Sequence, residues 1–188
     1  MNKAIFLDKD GTLIKNMPFN IDPEKIRFYC DVPKALQLFK QRDFKIVIVS
    51  NQPGVAYGYF KEKDLKKVKE VLQEMLELYE IKIDGFYYCP HHIKGKVAVY
   101  TRDCSCRKPK PGMIIQAASD LNIDISRSWM IGDILNDIEA GNRAGCKTIL
   151  IDNGNETEWI VTPERIPTYT VKKMKEAAKI INESGKED

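Results

Sequence analysis

Asp8 and Asp10 stand one residue apart at the end of the apolar run Ala4-Ile5-Phe6-Leu7, and Gly11-Thr12 follows at once. Side chains alternate between the two faces of a strand, so both carboxylates point the same way if the strand persists through them. Two carboxylates that close repel unless a cation lies between them or one stays protonated. The pair is costly as structure and useful as chemistry. It suggests a Mg²⁺ site with one aspartate free to act as a nucleophile. The competing reading is a strand entering an Asp-Gly surface turn, and the buried-strand pattern ahead of the pair favours the site.

Three further groups could serve the same chemistry. Ser50-Asn51-Gln52 follows the apolar run Ile46-Val47-Ile48-Val49; its hydroxyl and amides can donate to a phosphoryl oxygen, or simply form a turn or cap. Arg107-Lys108-Pro109-Lys110-Pro111-Gly112 sets three cations ahead of a helix N-terminus, which makes an anion-binding surface or a solvated basic loop. Asp133 follows Trp129-Met130-Ile131-Gly132 and can supply a third oxygen ligand to Mg²⁺, or cap a helix. Asp137, one turn on, could orient the lysine or cap the helix.

A second constellation is softer. Cys89-Pro90-His91-His92 and Cys104-Ser105-Cys106 give four ligands as C-x-H and C-x-C, a set that favours tetrahedral Zn²⁺. The intervening stretch 92–103 is rich in charge and poor in core-forming residues, so it needs a staple. The expected ligands are Cys89, His91, Cys104 and Cys106, in a closed structural site. His92 competes with His91, which is favoured because it mirrors the one-residue gap of the cysteine pair. Free thiols beside a turn histidine are the alternative.

Composition narrows the classes. The chain has 188 residues, 30% charged and 43% hydrophobic, with a net charge of +3. This suits one soluble globular domain over 1–188, including a zinc-binding loop at 89–106. The charge is too small to argue for nucleic acid, and no apolar run reaches membrane-spanning length. Five cysteines without a signal-like N-terminus argue for reduced thiols, and a cytoplasmic location follows as the default. Cys146 reads as a small buried residue at a strand start.

The elements that must position these groups alternate. Ala4–Leu7, Phe44–Val49, Gly85–Tyr88, Ser128–Ile131 and Thr148–Ile151 read as short buried strands. Val32–Gln41, Lys61–Glu80, Pro111–Leu121 and Ile134–Ala144 read as helices, with Pro111 at a first helical position and Gly145 as a C-terminal cap. The tail Val171–Glu183 reads as a helix packed back on the sheet, and Gly185–Asp188 is expected to fray. Such alternation predicts an α/β, doubly wound, mainly parallel sheet with helices on both faces. Ligands bind such folds beyond the carboxyl ends of the strands, where Asp8, Ser50 and Asp133 fall.

Together these residues resemble the haloacid dehalogenase (HAD) superfamily of phosphohydrolases. Asp8-x-Asp10-Gly11-Thr12 matches its first motif, Ser50 its second, Lys108 its third, and Asp133 with Asp137 its fourth. Ser50-Asn51-Gln52, Cys89-Pro90-His91-His92 and Cys104-x-Cys106-Arg107-Lys108-Pro109-x-Pro111-Gly112-Met113 are similar to one subgroup, which holds the D-glycero-D-manno-heptose-1,7-bisphosphate 7-phosphatases and the histidinol-phosphate phosphatases. The resemblance implies a three-layer α/β/α Rossmannoid fold with a zinc-stapled loop and no large cap domain. It implies that Asp8 attacks phosphorus and that Asp10 serves as general acid and base. Mg²⁺ would be held by Asp8, the Asp10 carbonyl and Asp133. Ser50 and Lys108 would stabilise the phosphoryl oxygens, with Asn51 also at the substrate, and Arg107 would hold a second phosphate.

Two departures bear on substrate. Tyr57 and Tyr59 stand where the heptose enzymes often carry basic residues, and Ile134 replaces a lysine common after the fourth-motif aspartate. Both lower the positive charge near the substrate; the tyrosines could instead stack on a sugar or imidazole face. The expectation is a monomer acting on a small phosphorylated metabolite, with no nucleic acid or membrane partner. Heptose bisphosphate leads; histidinol phosphate or another sugar phosphate is the alternative. A non-catalytic phosphate-binding or zinc interaction module is the reading from another class, and it leaves the nucleophile unexplained.

Overall fold

A computed structural model describes residues 1–184; the expectation for Gly185–Asp188 lies outside them. Six strands, β1 (Lys3–Leu7), β2 (Phe44–Asn51), β3 (Gly85–Cys89), β4 (Trp129–Gly132), β5 (Lys147–Ile151) and β6 (Tyr169–Val171), form one sheet in the order β3-β2-β1-β4-β5-β6. Every pairing is parallel. The order reverses at β1, so the crevice past the carboxyl ends of β1 and β4 is the topological switch point. Leu7 is in register with Ile48 of β2 and Ile131 of β4. The residues just beyond, Asp8, Ser50 and Asp133, therefore emerge at one edge.

Strand residues alternate between two cores. Ile5, Leu7, Ile46, Ile48, Ile131 and Ile149 face α1 (Val32–Gln41), α3 (Asp64–Glu77) and α6 (Met174–Ser184). Ala4, Phe6, Val47, Val49 and Met130 face α4 (Gly112–Asp120) and α5 (Leu135–Ala144). Both faces of the central strands are covered, which is why they read as unbroken apolar runs. Val32, Ala35, Leu36 and Phe39 are buried on α1, and Leu65, Val68, Leu72 and Leu76 on α3, each a stripe at helical spacing. The layering is α/β/α, and among the described residues no cap domain is inserted.

Several boundaries differ from expectation. Helix α3 is shorter than Lys61–Glu80, because Glu80 adopts a positive φ of 58° and Ile81 N–H turns back to the Leu76 carbonyl. Pro111 is the N-cap of α4 rather than its first helical residue. Tyr169–Val171 is an edge strand beside β5, and the tail helix starts only at Met174; three edge residues with one buried side chain leave no periodic signal. Gly145 caps α5 in the left-handed region at φ 98°. A short helix, α2 (Gly54–Tyr57), follows β2.

Candidate active site

Strand β1 stops at Leu7, so Asp8 and Asp10 are not paired by a pleat. Asp8 N–H continues the ladder to Ile131 O at 3.0 Å, which directs its carboxylate into the switch-point crevice. Asp10 sits in the following turn, where Lys9 Nζ lies 2.6 Å from its Oδ1 and Gln52 Nε2 donates to its Oδ2 at 3.0 Å. Lys9 is buried. Its role was not legible, since a lysine between two aspartates carries no signal of which carboxylate it will pair.

Lys108 is the hub. Its Nζ donates to Asp8 Oδ1 at 2.5 Å and to the Val49 carbonyl at 2.9 Å, and lies 2.6 Å from Asp137 Oδ1. That last contact is a charge pair of poor hydrogen-bond angle, since Asp137 Oδ1 has no hydrogen-bond partner among the described residues. Asp137 Oδ2 accepts the Ile134 N–H at 3.3 Å, so one side chain meets the lysine and caps α5. Asn51 clamps Lys108 from the other side: its Nδ2 donates to the Lys108 carbonyl and its Oδ1 accepts the Lys108 N–H, both at 3.0 Å. Its amide holds the lysine backbone from both ends, and the side chain still lines the cavity. Ser50 Oγ, buried at the end of β2, accepts from Gln52 Nε2 at 2.8 Å.

Asp133 receives a hydrogen bond on each oxygen, from Thr12 Oγ1 at 3.0 Å and Asn155 Nδ2 at 2.8 Å. Gly11, at φ 95°, is required where it stands. A Cβ there would collide with the Asp133 carboxylate and the Asn155 amide. These groups enclose a cavity of about 180 Å³, lined by Asp8, Asp10, Asn16, Asn51, Lys108, Asp133, Ile134, Asp137 and Asn155.

Charge explains the electrostatics. Burial pushes the Asp8 carboxyl well above its usual range; Lys108 opposes this, while Asp137, Asp133 and Asp10 add to it. Burial and Asp137 push Asp133 up to about 7, and Asn155 and Thr12 hold it down in part. Burial works against the Lys108 ammonium, but Asp137 and Asp8 outweigh it and raise its pKa. Fully ionised, Asp8, Asp10, Asp133 and Asp137 would outnumber the ammoniums of Lys9 and Lys108 by two, and the raised Asp8 and Asp133 carboxyls reflect that surplus. A divalent cation would offset it. Carboxylate oxygens of Asp8, Asp133 and Asp137 lie within 4.8 Å of one another; both Asp137 oxygens are engaged, by Lys108 and the Ile134 N–H, so Asp8 and Asp133 are left as the hard oxygen donors that fit Mg²⁺. The Asp10 carboxylate is not in that set, because Lys9 and Gln52 hold it. Lys108→Met should destabilise the fold by about 3–5 kcal/mol, since two buried aspartates lose their cation; urea titration at pH 7 checks this.

The soft ligands meet as well. Sγ of Cys89 lies 3.5 Å from Cys104 and 3.0 Å from Cys106, and Nδ1 of His91 is 3.7 Å from Cys89 and 3.5 Å from Cys106. All four donors lie within 4.8 Å of one another, and the set fits a tetrahedral thiolate–imidazole metal site. The hydrogen bond with Cys89 holds the Cys106 thiol down to about 5 against burial, with His91 helping. That same bond and burial push Cys89 up. His92 faces away, 3.1 Å from the Tyr57 hydroxyl.

Arg107, Tyr57 and Tyr59 do not line the cavity. Arg107 Nη1 donates to the His91 carbonyl at 3.3 Å. Tyr57 and Tyr59 pack on each other at 5.6 Å and on Phe19 at 5.9 and 4.9 Å. Tyr59 lines a separate groove of about 960 Å³ beside Val97 and Tyr100. Sequence reasoning missed the loop after β5, whose Asn153, Asn155 and Glu156 reach into the site; the strand-end rule applied to β5 would have pointed there. Cys146 is buried just before β5, and Cys30 is exposed.

Comparison with known proteins agrees with this geometry. The HAD-hydrolase-like family model matches residues 105–177. The chain is 43% identical over 155 residues to a D-glycero-beta-D-manno-heptose-1,7-bisphosphate 7-phosphatase of Pasteurella multocida, covering 82% of this chain and 84% of that one. A solved HAD-like phosphatase from Mesorhizobium loti superimposes with a TM-score of 0.83 at 29% identity, covering 97% of this chain and 87% of that one. A D,D-heptose 1,7-bisphosphate phosphatase of B. bronchiseptica, complexed with magnesium and phosphate, shares the fold with a TM-score of 0.79 at 24% identity, covering 97% and 99%. No helix among the described residues is long and apolar enough to cross a membrane.

Proposed function

The chain belongs to the HAD-like phosphatases, in the family of the heptose-1,7-bisphosphate 7-phosphatases, and on that premise we propose that it removes the 7-phosphate of D-glycero-β-D-manno-heptose 1,7-bisphosphate. The observation that carries the chemistry is Asp8, buried at the switch point on Lys108 at 2.5 Å and open to the cavity that also holds Asp10 and Asp133. Relatives at up to 43% identity support the substrate.

Asp8 attacks phosphorus, forming an aspartyl-phosphate while the bond to the sugar oxygen breaks. Asp10 gives its proton to that oxygen, then takes one from the water that cleaves the aspartyl-phosphate. Lys108 and Ser50 stabilise charge on the phosphoryl oxygens, and Asp137 and Asn51 keep the lysine aimed. Asp8, the Asp10 carbonyl and Asp133 would hold Mg²⁺, which would supply positive charge to offset repulsion between nucleophile and phosphate. Arg107, beyond the cavity, takes the second phosphate by a forked contact, with Tyr57 and Tyr59 against the sugar face. Cys89, His91, Cys104 and Cys106 would hold Zn²⁺, which would staple the loop that carries Arg107 and Lys108. The whole chain acts as one domain.

Phosphate release from heptose 1,7-bisphosphate, sugar monophosphates and histidinol phosphate, measured with Mg²⁺, tests this. The bisphosphate should lead by at least about tenfold in kcat/KM, because among these substrates only it offers Arg107 a second phosphate. A lead for histidinol phosphate replaces the substrate and leaves the chemistry standing. No turnover on any of them counts against an enzyme.

A further inference from the structure

We propose that Asn155 is a positioning residue for the metal site, its amide holding the Asp133 carboxylate in the orientation that receives a divalent cation. The inference rests on the metal reading above. Asp133 is buried and comes from the residue after β4, so only two bonds about its own side chain decide where its oxygens point. Thr12 Oγ1 donates to Oδ1 at 3.0 Å and Asn155 Nδ2 to Oδ2 at 2.8 Å. With one donor on each oxygen, rotation about Cβ–Cγ is stopped, and each oxygen keeps a further lone pair for a metal.

Asn155 is itself fixed by its neighbours. The chain leaves β5 at Ile151, and three side chains of the next few residues turn inward. Asn153 Nδ2 donates to the Gly11 carbonyl at 2.7 Å. Glu156 Oε2 accepts the Leu135 N–H at 2.6 Å, at the first residue of α5. Asn155 lies between these anchors, so one short strap ties the turn after β1 to the start of α5, with Asp133 at the junction. A neutral amide suits the position: it orients Asp133 without cancelling the charge a cation needs, as a lysine would. Hydrogen-bond partners behind a metal ligand are worth about 10–100-fold in metal affinity.

Calorimetric titration of Mg²⁺ into the whole protein, with the Mg²⁺ dependence of p-nitrophenyl phosphate turnover beside it, tests the assignment. Asn155→Ala should raise the Mg²⁺ Kd by about tenfold or more and move the Mg²⁺ dependence of turnover to higher concentration by the same factor. Asn155→Ser, which keeps a donor, should recover part of the affinity. Asn153→Ala loosens the same strap without touching Asp133 and should move the Kd less. An Asn155→Ala Kd within about twofold of the parent, or an equal rise in Asn153→Ala, overturns the role of Asn155 alone. A parent protein with no saturable Mg²⁺ binding overturns the metal reading and this inference together.

Discussion

Asp8→Asn should abolish phosphate release, by at least about 10⁴-fold in kcat, the scale on which loss of a covalent nucleophile is felt. The amide keeps the size of the side chain and has no lone pair basic enough to attack phosphorus. Lys108 retains Asp137 at 2.6 Å and the Val49 carbonyl at 2.9 Å, so the hub stays in place. The variant should fold at least as well as the parent, and the sign follows from the charge. The Asp8 pKa is raised by burial and by neighbouring carboxylates, so at neutral pH its ionised form is disfavoured in the folded state relative to the unfolded one. A neutral amide removes that cost in the metal-free protein. Melting of metal-free parent and variant at pH 7.5, beside phosphate release with Mg²⁺, reads both effects. Turnover near the parental rate would move the nucleophile elsewhere.

The same charges explain why the site is built from separate strand ends. Four carboxylates around one cavity would unfold a site whose ammoniums lay in solvent. Lys9 and Lys108 are both buried, and each is committed to a carboxylate at 2.6 Å or closer. Register makes this possible: Leu7, Ile48 and Ile131 are neighbours across the sheet, so the acid of β1 meets the hydroxyl of β2 and the acid of β4 without long loops.

Much of this was legible in the chain. Apolar runs at Ala4–Leu7, Ile46–Val49 and Thr148–Ile151 name doubly covered strands, and the order of acid, serine, lysine and acid names the edge at which they end. The contacts of Asn51 and Lys9 were not legible. An asparagine at a strand end can face a ligand or a backbone, and only the tertiary approach of Lys108 decides for the backbone. The edge strand Tyr169–Val171 and the Asn153–Glu156 strap were lost for the related reason that neither has a period. Their residues are ordered by what lies across the gap, Ile149, Leu150 and Ile151 in one case and Gly11 and Asp133 in the other.

On the reading that Cys89, His91, Cys104 and Cys106 hold zinc, losing the metal should undo the position of Lys108 without undoing the sheet. Two routes connect the soft ligands to that lysine. Cys106 lies two residues before it along the chain, and Cys89 pairs across β2–β3 with Asn51, whose amide holds the Lys108 backbone at both ends. The Gln52 N–H also bonds the Cys89 carbonyl at 2.8 Å. Between the ligand pairs the stretch 92–103 contributes no buried apolar side chain, so little besides the ligands opposes its chain entropy. A structural zinc site supplies on the order of 10 kcal/mol of apparent folding energy at pH 7. Cys104→Ser should therefore lower bound zinc below one per chain and cut turnover by at least about tenfold, the scale set by groups that orient a reacting residue. Hydrogen exchange separates the effect from global unfolding. The amides of Gly95, Tyr100 and Gly112, bonded within this loop, should lose protection while those of β1, β2 and β4 keep theirs. A reduced parent protein that carries no zinc, yet turns over at full rate with these amides protected, would show that the thiols and imidazole hold the loop by themselves.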